Sequence, residues 1–357
     1  MTGSEKLCLG LLLFLVGVAI VSYLPAIHQF QWFLRVAFPE IGWSFLLVGI
    51  PLAAFVGRYH PKAGFGVFAV LLTLVAVPWF QAWQVSKQLQ SDWSFGQRPE
   101  RSPLTLGERN AHTVNTEKYK GDLEWDRYKP HDELKARLLF VHGGSWRNGT
   151  RRDYPALYQY LADRGYEVLS VTYTLSGEAG YPAAYNDISA AIERAYDPEI
   201  PLFLAGRSSG GHLALLASYT HPDLVRGVIG IYPPVDMNWS YEHPSNPAVL
   251  DSQEAIREFL LATPEEKPDR YEEASPIDRV GPQGPPTLLI HGNADCLVYH
   301  RQSEMLSEKL DQLGVRRFLL TLPWMEHGGD VFISGPSGRL SAWAIEGFMD
   351  SLRTGKR

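Results

Sequence analysis

This sequence has few cysteines, fewer basic than acidic residues, and no histidines spaced closely enough to bind one metal ion from the same helix. Its 357 residues include two cysteines, Cys8 and Cys296, which lie too far apart to indicate a disulfide framework or a zinc-type spacing. The formal net charge is −6, whereas a nucleic-acid binder normally carries a basic face. No two histidines have the spacing of metal ligands on one helix. We therefore expect no nucleic-acid partner, no metal and no cofactor.

Charged residues are also nearly absent from the first 86 positions, which contain three long apolar runs. The runs cover Leu7–Leu24, Ile41–Gly57 and Gly64–Trp83, and each approaches the roughly 20 residues needed to cross a bilayer. One such run is often a buried helix, and the first could be a cleaved signal peptide. Three in succession favour a membrane domain with three transmembrane helices at residues 1–86. The few charged residues of this region are Glu5, Lys6, Arg35, Glu40, Arg58 and Lys62.

The basic residues indicate how these spans cross the membrane. Lys6 precedes the first span, and Arg58 and Lys62 flank the turn between the second and third, so the positive-inside tendency places these positions in the cytoplasm. Three spans then put the rest of the chain on the extracytoplasmic side, although Arg35 opposes this orientation. We expect a multi-pass membrane protein in which residues 1–86 are an anchor and take no part in the active site.

The composition changes after the third run. Residues 87–110 are polar with scattered Pro and Gly, which is typical of a linker. In residues 111–357, short apolar runs of strand type alternate with segments of helical periodicity. This order predicts an α/β fold with a doubly wound, mostly parallel sheet. The segment 236–276 lacks a strand pattern and is predicted to be an insertion that forms a partial lid.

The motif Gly206-Arg207-Ser208-Ser209-Gly210 follows a strand-type run directly and precedes a helical one. This order matches the nucleophile elbow G-x-S-x-G, in which a serine occupies a sharp turn between a strand and a helix. Ser208 stands between the two glycines and is the predicted nucleophile, with Ser209 as its rival. To Ser209 we assign the donation of a backbone N–H.

A second motif, His142-Gly143-Gly144-Ser145-Trp146, lies at the end of the strand-type run LLFV. Acyl transfer needs backbone N–H donors aimed at the developing oxyanion, and glycines let the backbone approach a substrate closely. Gly144 and Gly143 are therefore predicted oxyanion-hole donors, together with Ser209. A plain turn would explain the glycines but not their position upstream of the elbow. His142 is predicted to be structural.

A serine nucleophile needs a base and an acid that orients the base. In elbow-containing folds these follow the serine in the order acid, then histidine. Asp295 and His327 each come just after a strand-type run, where open α/β sheets place their sites, so they are the predicted acid and base. Asp236 is the competing acid. The competing bases are His212, His221, His291 and His300.

Six segments carry a family resemblance: GDLEWDRYKP, LLFVHGGSW, GYPAAYNDISAAI, LAGRSSGGHLALLAS, LLIHGNADCLV and MEHGGD. Over residues 115–353 they resemble the α/β-hydrolase superfamily, and within it the His-Gly-Gly esterase branch. That branch includes hormone-sensitive-lipase-like carboxylesterases, feruloyl or acetyl esterases, kynurenine formamidase and prenylcysteine methylesterase. The resemblance implies an α/β-hydrolase fold with Ser208 as nucleophile, His327 as base and Asp295 as acid. Ser145 stands where many members have a third glycine, which leaves the oxyanion donors open.

Together these features predict a membrane-anchored serine hydrolase that cleaves a small-molecule or lipid-like carboxylic ester through an acyl-enzyme intermediate. Two alternatives stay open: an amidase or peptidase with the same triad, and a non-catalytic binding module on the same fold. A transporter or channel is disfavoured, because the three apolar runs contain no charged residue. Cys296 and Asp187 are interpreted as structural residues.

Overall fold

A computed structural model describes residues 1–95, 99–105 and 114–353. The N-terminal part consists of the helices α1 (Gly3–Val21), α2 (Gln29–Ile41), α3 (Ser44–Tyr59) and α4 (Pro61–Asp92). Helices α1 and α4 are each long and apolar enough to cross a membrane, whereas α2 and α3 meet that criterion only as a pair bent by 81°. These helices therefore supply two candidate spans, or three if the bent pair counts as one.

Local sequence explains where these helices begin. Thr2 and Glu5 form a capping box at the start of α1. Pro61 occupies the first turn of α4, where its missing N–H leaves no helical hydrogen bond unmade. His60, between α3 and α4, lies with its Nε2 atom 3.0 Å from a Glu5 carboxylate oxygen. The start of α1 and the α3–α4 turn are therefore at the same end of the helix group.

Residues 114–353, here called the sheet unit, form an eight-stranded sheet with helices on both faces. The strands are β1 (Val114–Lys120), β2 (Leu123–Tyr128), β3 (Ala136–Val141), β4 (Tyr166–Val171), β5 (Leu202–Arg207), β6 (Gly227–Ile231), β7 (Thr287–Gly292) and β8 (Arg317–Leu322). Their spatial order is β1-β2-β4-β3-β5-β6-β7-β8. The β1–β2 and β2–β4 pairs are antiparallel and the others are parallel. This architecture confirms the predicted α/β class and the mostly parallel sheet.

The central strands β3 to β7 are buried almost throughout, which explains their continuous apolar sequences. Large apolar clusters fill both faces of the sheet. The segment between β6 and β7 contains short helices, and its described residues 236–276 include no strand. The helices of the sheet unit are α5 (Pro155–Ala162), α6 (Ala183–Ala195), α7 (Ser209–Thr220), α8 (Met237–Glu242), α9 (Ser252–Leu260), α10 (Pro268–Glu273), α11 (Pro276–Arg279), α12 (Arg301–Gln312) and α13 (Pro336–Arg353).

The segment predicted to be a linker is in large part packed against the sheet unit. Helix α4 continues through residues 87–92, so the linker's first six residues are helical. Beyond it, the Trp93 and Trp343 ring centroids are 5.3 Å apart, and those of Phe95 and Phe348 are 4.7 Å apart. Residues 96–98 and 106–110 of the predicted linker lie outside the described residues. The described residues between α4 and β1 therefore include a segment that packs against the sheet unit, where the sequence predicted a linker.

The parallel strands β3, β5, β7 and β8 all end at one edge of the sheet, and the loops that follow them meet there. This is the edge at which open α/β sheets place their sites. Every residue predicted for catalysis follows one of these four strands.

Candidate active site

Ser208 lies on the sharp turn between β5 and α7. Its backbone has φ 52° and ψ −125°, a strained conformation for a residue with a side chain. A Cβ on Gly206 would lie 2.2 Å from the Gly210 carbonyl oxygen, and a Cβ on Gly210 would lie 2.2 Å from the His142 carbonyl oxygen. Packing therefore requires both glycines of the motif, and the turn holds Ser208 at the carboxyl edge of the sheet.

The neighbouring serine, Ser209, is the first residue of α7, and only 1% of it is exposed. Ser208 is partly exposed and lines both cavities described below. Of the two rival serines, Ser208 is therefore the one whose hydroxyl a substrate can approach. Ser209 provides a backbone N–H at the positive end of the α7 dipole.

Three side chains from separate loops form a hydrogen-bonded chain. The Nε2 atom of His327 lies 3.0 Å from the Ser208 hydroxyl oxygen, and its Nδ1 atom lies 2.7 Å from a carboxylate oxygen of Asp295. His327 and Asp295 are both buried. In this geometry Nδ1–H donates to Asp295 while Nε2 accepts from Ser208, which is the tautomer that a general base needs. The structure thus brings together the three residues that the sequence analysis selected.

The pKa values of this pair reflect their mutual stabilisation. Burial alone lowers the pKa of His327, but the charge of Asp295 and the hydrogen bond to it raise that pKa above its usual range. Burial alone raises the pKa of Asp295, but His327 and His291 together hold it below its usual range. Asp295 is therefore ionised, and its second oxygen accepts the Leu297 and Val298 N–H groups, each at 2.9 Å.

The competing acid and bases have structural partners, and one of them, His291, lies beside Asp295 itself, with its Nε2 atom 3.3 Å from an Asp295 carboxylate oxygen. Asp236 accepts the Trp239 N–H at 2.9 Å and so caps α8. His212 accepts from the Trp146 indole at 3.2 Å, and burial lowers its pKa to about 4, so it is neutral. The other rivals also have structural partners: His221 contacts the Ala217 carbonyl, His291 contacts Ser303 and the Val298 carbonyl, and His300 contacts Thr321.

In the part of the chain that the structure describes, no group of three His, Cys, Asp or Glu side chains could hold a metal ion.

The loop after β3 packs against the elbow. A Cβ on Gly143 would lie 2.9 Å from the Arg207 carbonyl oxygen, and Gly144 has a φ of +125°, where a side chain would be strained. Gly143, Gly144 and Ser145 all line the larger cavity beside Ser208. The loop therefore brings the backbone of the predicted oxyanion-hole residues next to the nucleophile.

An ion pair that the sequence analysis missed joins the elbow to the histidine loop. The Nε atom of buried Arg207 lies 2.5 Å from one oxygen of Asp330, whose other oxygen accepts from the Tyr232 hydroxyl at 2.6 Å. Burial lowers the pKa of Arg207, but the charge of Asp330 outweighs it and raises that pKa. The sequence did contain a signal for this ion pair. Arg207 ends an apolar strand that is predicted to be buried, and a buried charge needs a partner of opposite charge.

A second unforeseen pair comes from the N-terminal helices. Arg35 of α2 donates from Nε to Glu326 at 2.6 Å and from Nη2 to the Ala294 carbonyl at 2.9 Å. Glu326 also accepts the N–H groups of Cys296, at 2.7 Å, and His327, at 3.1 Å. Arg35 and Glu326 therefore join α2 to both loops that carry the predicted acid and base.

Two cavities meet at Ser208. The smaller, of about 40 Å³, lies under α8 and α9 beside Trp146. The larger, of about 810 Å³, is lined by Ser208 and His327. The prediction that residues 1–86 take no part in the active site is wrong, because α2 packs on the sheet unit and forms one wall of this cavity. The wall residues are Gln29, Phe30, Trp32, Phe33 and Val36.

Known proteins resemble this chain in sequence. Residues 126–310, more than half of the chain, match the family model BD-FAE. The chain is 30% identical to esterase LipC of Mycobacterium tuberculosis over 239 residues, which cover 60% of this chain and 58% of LipC. It is 25% identical to the probable carboxylic ester hydrolase LipM of the same organism over 239 residues, covering 60% of this chain and 54% of LipM. The chain thus spans little more than half the length of these relatives.

Solved structures resemble it as well. An esterase from Pyrobaculum calidifontis superposes with a TM-score of 0.61 at 22% identity, covering 77% of this chain and 94% of that one. The Francisella virulence factor BioJ superposes with a TM-score of 0.57 at 24% identity, covering 74% and 90%. At such low identity these likenesses establish the fold, which is the one that the family resemblance implied.

Proposed function

Because this chain belongs to the BD-FAE family and has the α/β-hydrolase fold, we propose that it is a serine hydrolase that cleaves carboxylic esters through an acyl-enzyme intermediate. The observation that carries this proposal is the hydrogen-bonded chain from Ser208 through His327 to Asp295. The names of the relatives, an esterase and a probable carboxylic ester hydrolase, support the same reaction.

Acylation begins when the Ser208 hydroxyl oxygen attacks the carbonyl carbon of the ester. His327 Nε2 takes the hydroxyl proton as the new bond forms, and Asp295 stabilises the resulting imidazolium. When the tetrahedral intermediate collapses, the bond to the alcohol oxygen breaks, and that oxygen takes the proton from Nε2. The alcohol leaves, and the acyl group remains on Ser208 as an ester.

Deacylation repeats these steps with water. His327 takes a proton from the attacking water and returns it to the Ser208 oxygen as the carboxylic acid is released. In both halves the carbonyl oxygen becomes an oxyanion, and we assign its stabilisation to the backbone N–H groups of Gly143, Gly144 and Ser209. One such donor contributes about 3 kcal/mol to the stability of the transition state.

The N-terminal helices are proposed to form a membrane domain at residues 1–86, in which α1, α4 and α3, the longer part of the bent α2–α3 pair, are the three spans. The start of α1 contacts His60, while the Leu24 carbonyl, beyond its end, accepts from Arg35 at 2.7 Å. Lys6, Arg58 and Lys62 therefore lie at the end of the helices away from the sheet unit. By the positive-inside tendency this supports an extracytoplasmic position for residues 111–357. Helix α2 is then an interfacial helix and not a span.

The test of this function uses the full-length protein in detergent, a fluorophosphonate probe and p-nitrophenyl acetate. The wild type is expected to be labelled and active, and Ser208→Ala to be neither. The matched control Ser209→Ala keeps the same backbone N–H and should keep labelling. Undiminished labelling of Ser208→Ala would overturn the assignment of the nucleophile, and the absence of ester hydrolysis by the wild type would overturn the function.

A further inference from the structure

We infer that the preferred substrate is a short acyl group esterified to a long apolar alcohol, and that α2 forms the binding wall for the alcohol. This inference rests on the proposed function and adds the substrate class. It starts from the unequal size of the two cavities that meet at Ser208, about 40 Å³ and about 810 Å³. An ester has two halves on either side of its carbonyl carbon, so each half enters one cavity.

Proton transfer decides which half enters which cavity. The alcohol oxygen must receive the proton that His327 Nε2 took from Ser208, so the alcohol leaves on the side of the histidine. His327 and the adjoining Gly328 line the large cavity and, among the described residues, are absent from the small one. The large cavity therefore receives the alcohol, and the small cavity receives the acyl group.

The small cavity limits the acyl group to a few carbons. The small cavity offers about 40 Å³, against about 810 Å³ for the large one. Its wall residues pack on buried neighbours: Trp146 stacks on Phe259 with ring centroids 4.6 Å apart, and Ile256 belongs to the buried core. Trp239 of the short helix α8 closes another side. We therefore assign short acyl groups, from acetyl to butyryl, to this cavity and expect it to exclude an octanoyl group.

The large cavity suits a long apolar chain that remains partly in a bilayer. Its volume falls within the roughly 300–1,000 Å³ that drug-sized ligands occupy. On α2, Phe30 and Phe33 line it while 69% and 56% of these residues stay exposed. An apolar, exposed rim of this kind marks a binding surface. Helix α2 connects directly to α1 and α3, so the rim lies where those proposed spans reach the sheet unit.

Two ester series test this inference with full-length protein in detergent micelles. The first keeps p-nitrophenol as the alcohol and lengthens the acyl group from acetyl through butyryl to octanoyl and lauroyl. The second keeps acetyl as the acyl group and lengthens the alcohol from ethanol through octanol to hexadecanol, with acetate release as the readout. We expect kcat/KM to fall at least about tenfold between butyryl and octanoyl esters. In the second series we expect kcat/KM to rise by up to roughly fourfold for each methylene that enters the cavity.

Matched variants test which cavity binds the acyl group of the ester and which binds the alcohol. Trp239→Ala enlarges the small cavity and should raise hydrolysis of octanoyl esters relative to acetyl esters about tenfold. Phe33→Ala thins the α2 wall and should lower the ratio of octyl to ethyl acetate hydrolysis about fivefold. Phe14→Ala removes an equally exposed phenylalanine of α1 that lies away from the cavity, and should change neither ratio.

The outcomes separate this inference from the proposed function. Rapid hydrolysis of octanoyl and lauroyl esters with no gain along the alcohol series would overturn the assignment of the cavities while leaving the ester hydrolase intact. A Phe33→Ala effect confined to the acyl series would reverse the two halves and overturn it as well. Failure to hydrolyse any ester of either series, with Ser208 unlabelled by fluorophosphonate, would overturn the proposed function and this inference with it.

Discussion

The sheet unit and the N-terminal helices both bury apolar side chains, but they differ in the side chains that they expose. In the sheet unit, apolar clusters fill both faces of the sheet, and few large apolar side chains of its described residues are exposed. In the helices, large apolar side chains are exposed all along α1, α3 and α4. The buried residues of these helices are mostly apolar, among them Leu12, Val56 and Leu71, and Glu40 is a buried acidic residue whose carboxyl group accepts the Ser337 N–H at 3.0 Å.

This difference in exposed surface is what a membrane domain next to a globular domain would have. The exposed apolar side chains of the helices therefore support the membrane domain proposed above. Two ionisable side chains of α2 contact the sheet unit, Arg35 through Glu326 and Glu40 through Ser337. Helices α2 and α4 both contact the sheet unit, and α2 does so beside the candidate active site.

The largest expected effect comes from a change inside the sheet unit. Asp295→Asn should lower kcat on p-nitrophenyl acetate about 10⁴-fold, because the amide cannot stabilise the imidazolium and favours the wrong tautomer of His327. Asp236→Asn is the matched control, since Asp236 caps α8, and should change kcat by less than about tenfold. A larger loss for Asp236→Asn would move the acid to the loop after β6 and remove the catalytic role from Asp295.

A change in the ion pair between Arg35 of α2 and Glu326 of the sheet unit tests whether α2 stabilises the candidate active site. Arg35→Met removes the partner of buried Glu326, of which 1% is exposed. Unfolding of the sheet unit should become easier by about 3 kcal/mol, because a buried carboxylate is left unpaired. Urea unfolding followed by tryptophan fluorescence measures this, alongside kcat on a short ester.

Two control variants show whether an effect of Arg35→Met comes from the loss of its charge. Arg58→Met removes an exposed arginine at the far end of the helices and should leave stability and kcat unchanged. The double variant Arg35→Met/Glu326→Gln should recover most of the lost stability, because no unpaired charge remains. If the double variant is as unstable as Arg35→Met alone, the contact acts through packing and not through its charge.

The pH dependence of kcat/KM probes the triad within the sheet unit. The proposed base, His327, can accept a proton only when it is neutral, and Asp295 raises its pKa above the usual value of about 6.5. Activity should therefore be lost as the pH falls through a midpoint above that value. In the Asp295→Asn variant, only the lesser effects of Glu326 and Asp330 offset the burial of His327, so the midpoint should move to lower pH. An unshifted midpoint would show that another group limits activity on the acid side.

The smallest effect is expected at Cys296, whose N–H donates to Glu326, the partner of Arg35, but which has no predicted catalytic role. Burial, followed by the charge of Glu326, raises the pKa of its thiol to about 12. The thiol is therefore protonated at neutral pH and reacts slowly with iodoacetamide. Cys296→Ala should change kcat by less than about twofold. Rapid alkylation that abolishes activity would contradict this assignment.

Much of the candidate site could be predicted because its signals are local. The elbow depends on residues adjacent in sequence: an apolar strand, two small residues and a helix. Arg35 shows the limit of such signals. It was interpreted only through its charge near the apolar runs, because its partner Glu326 lies 291 positions away. The pair Arg207–Asp330, 123 positions apart, was missed for the same reason.

The sequence by itself determined the α/β class, the apolar N-terminal helices and a short set of candidates for nucleophile, base and acid. Only the tertiary structure decided which candidates meet: His327 with Asp295 and Ser208, while Asp236 caps a helix. Only it showed that α2 forms a wall of the cavity. The physical reason is that propensity and periodicity act between neighbours along the chain, whereas hydrogen bonds, buried ion pairs and cavity walls join residues that the fold brings together from far apart.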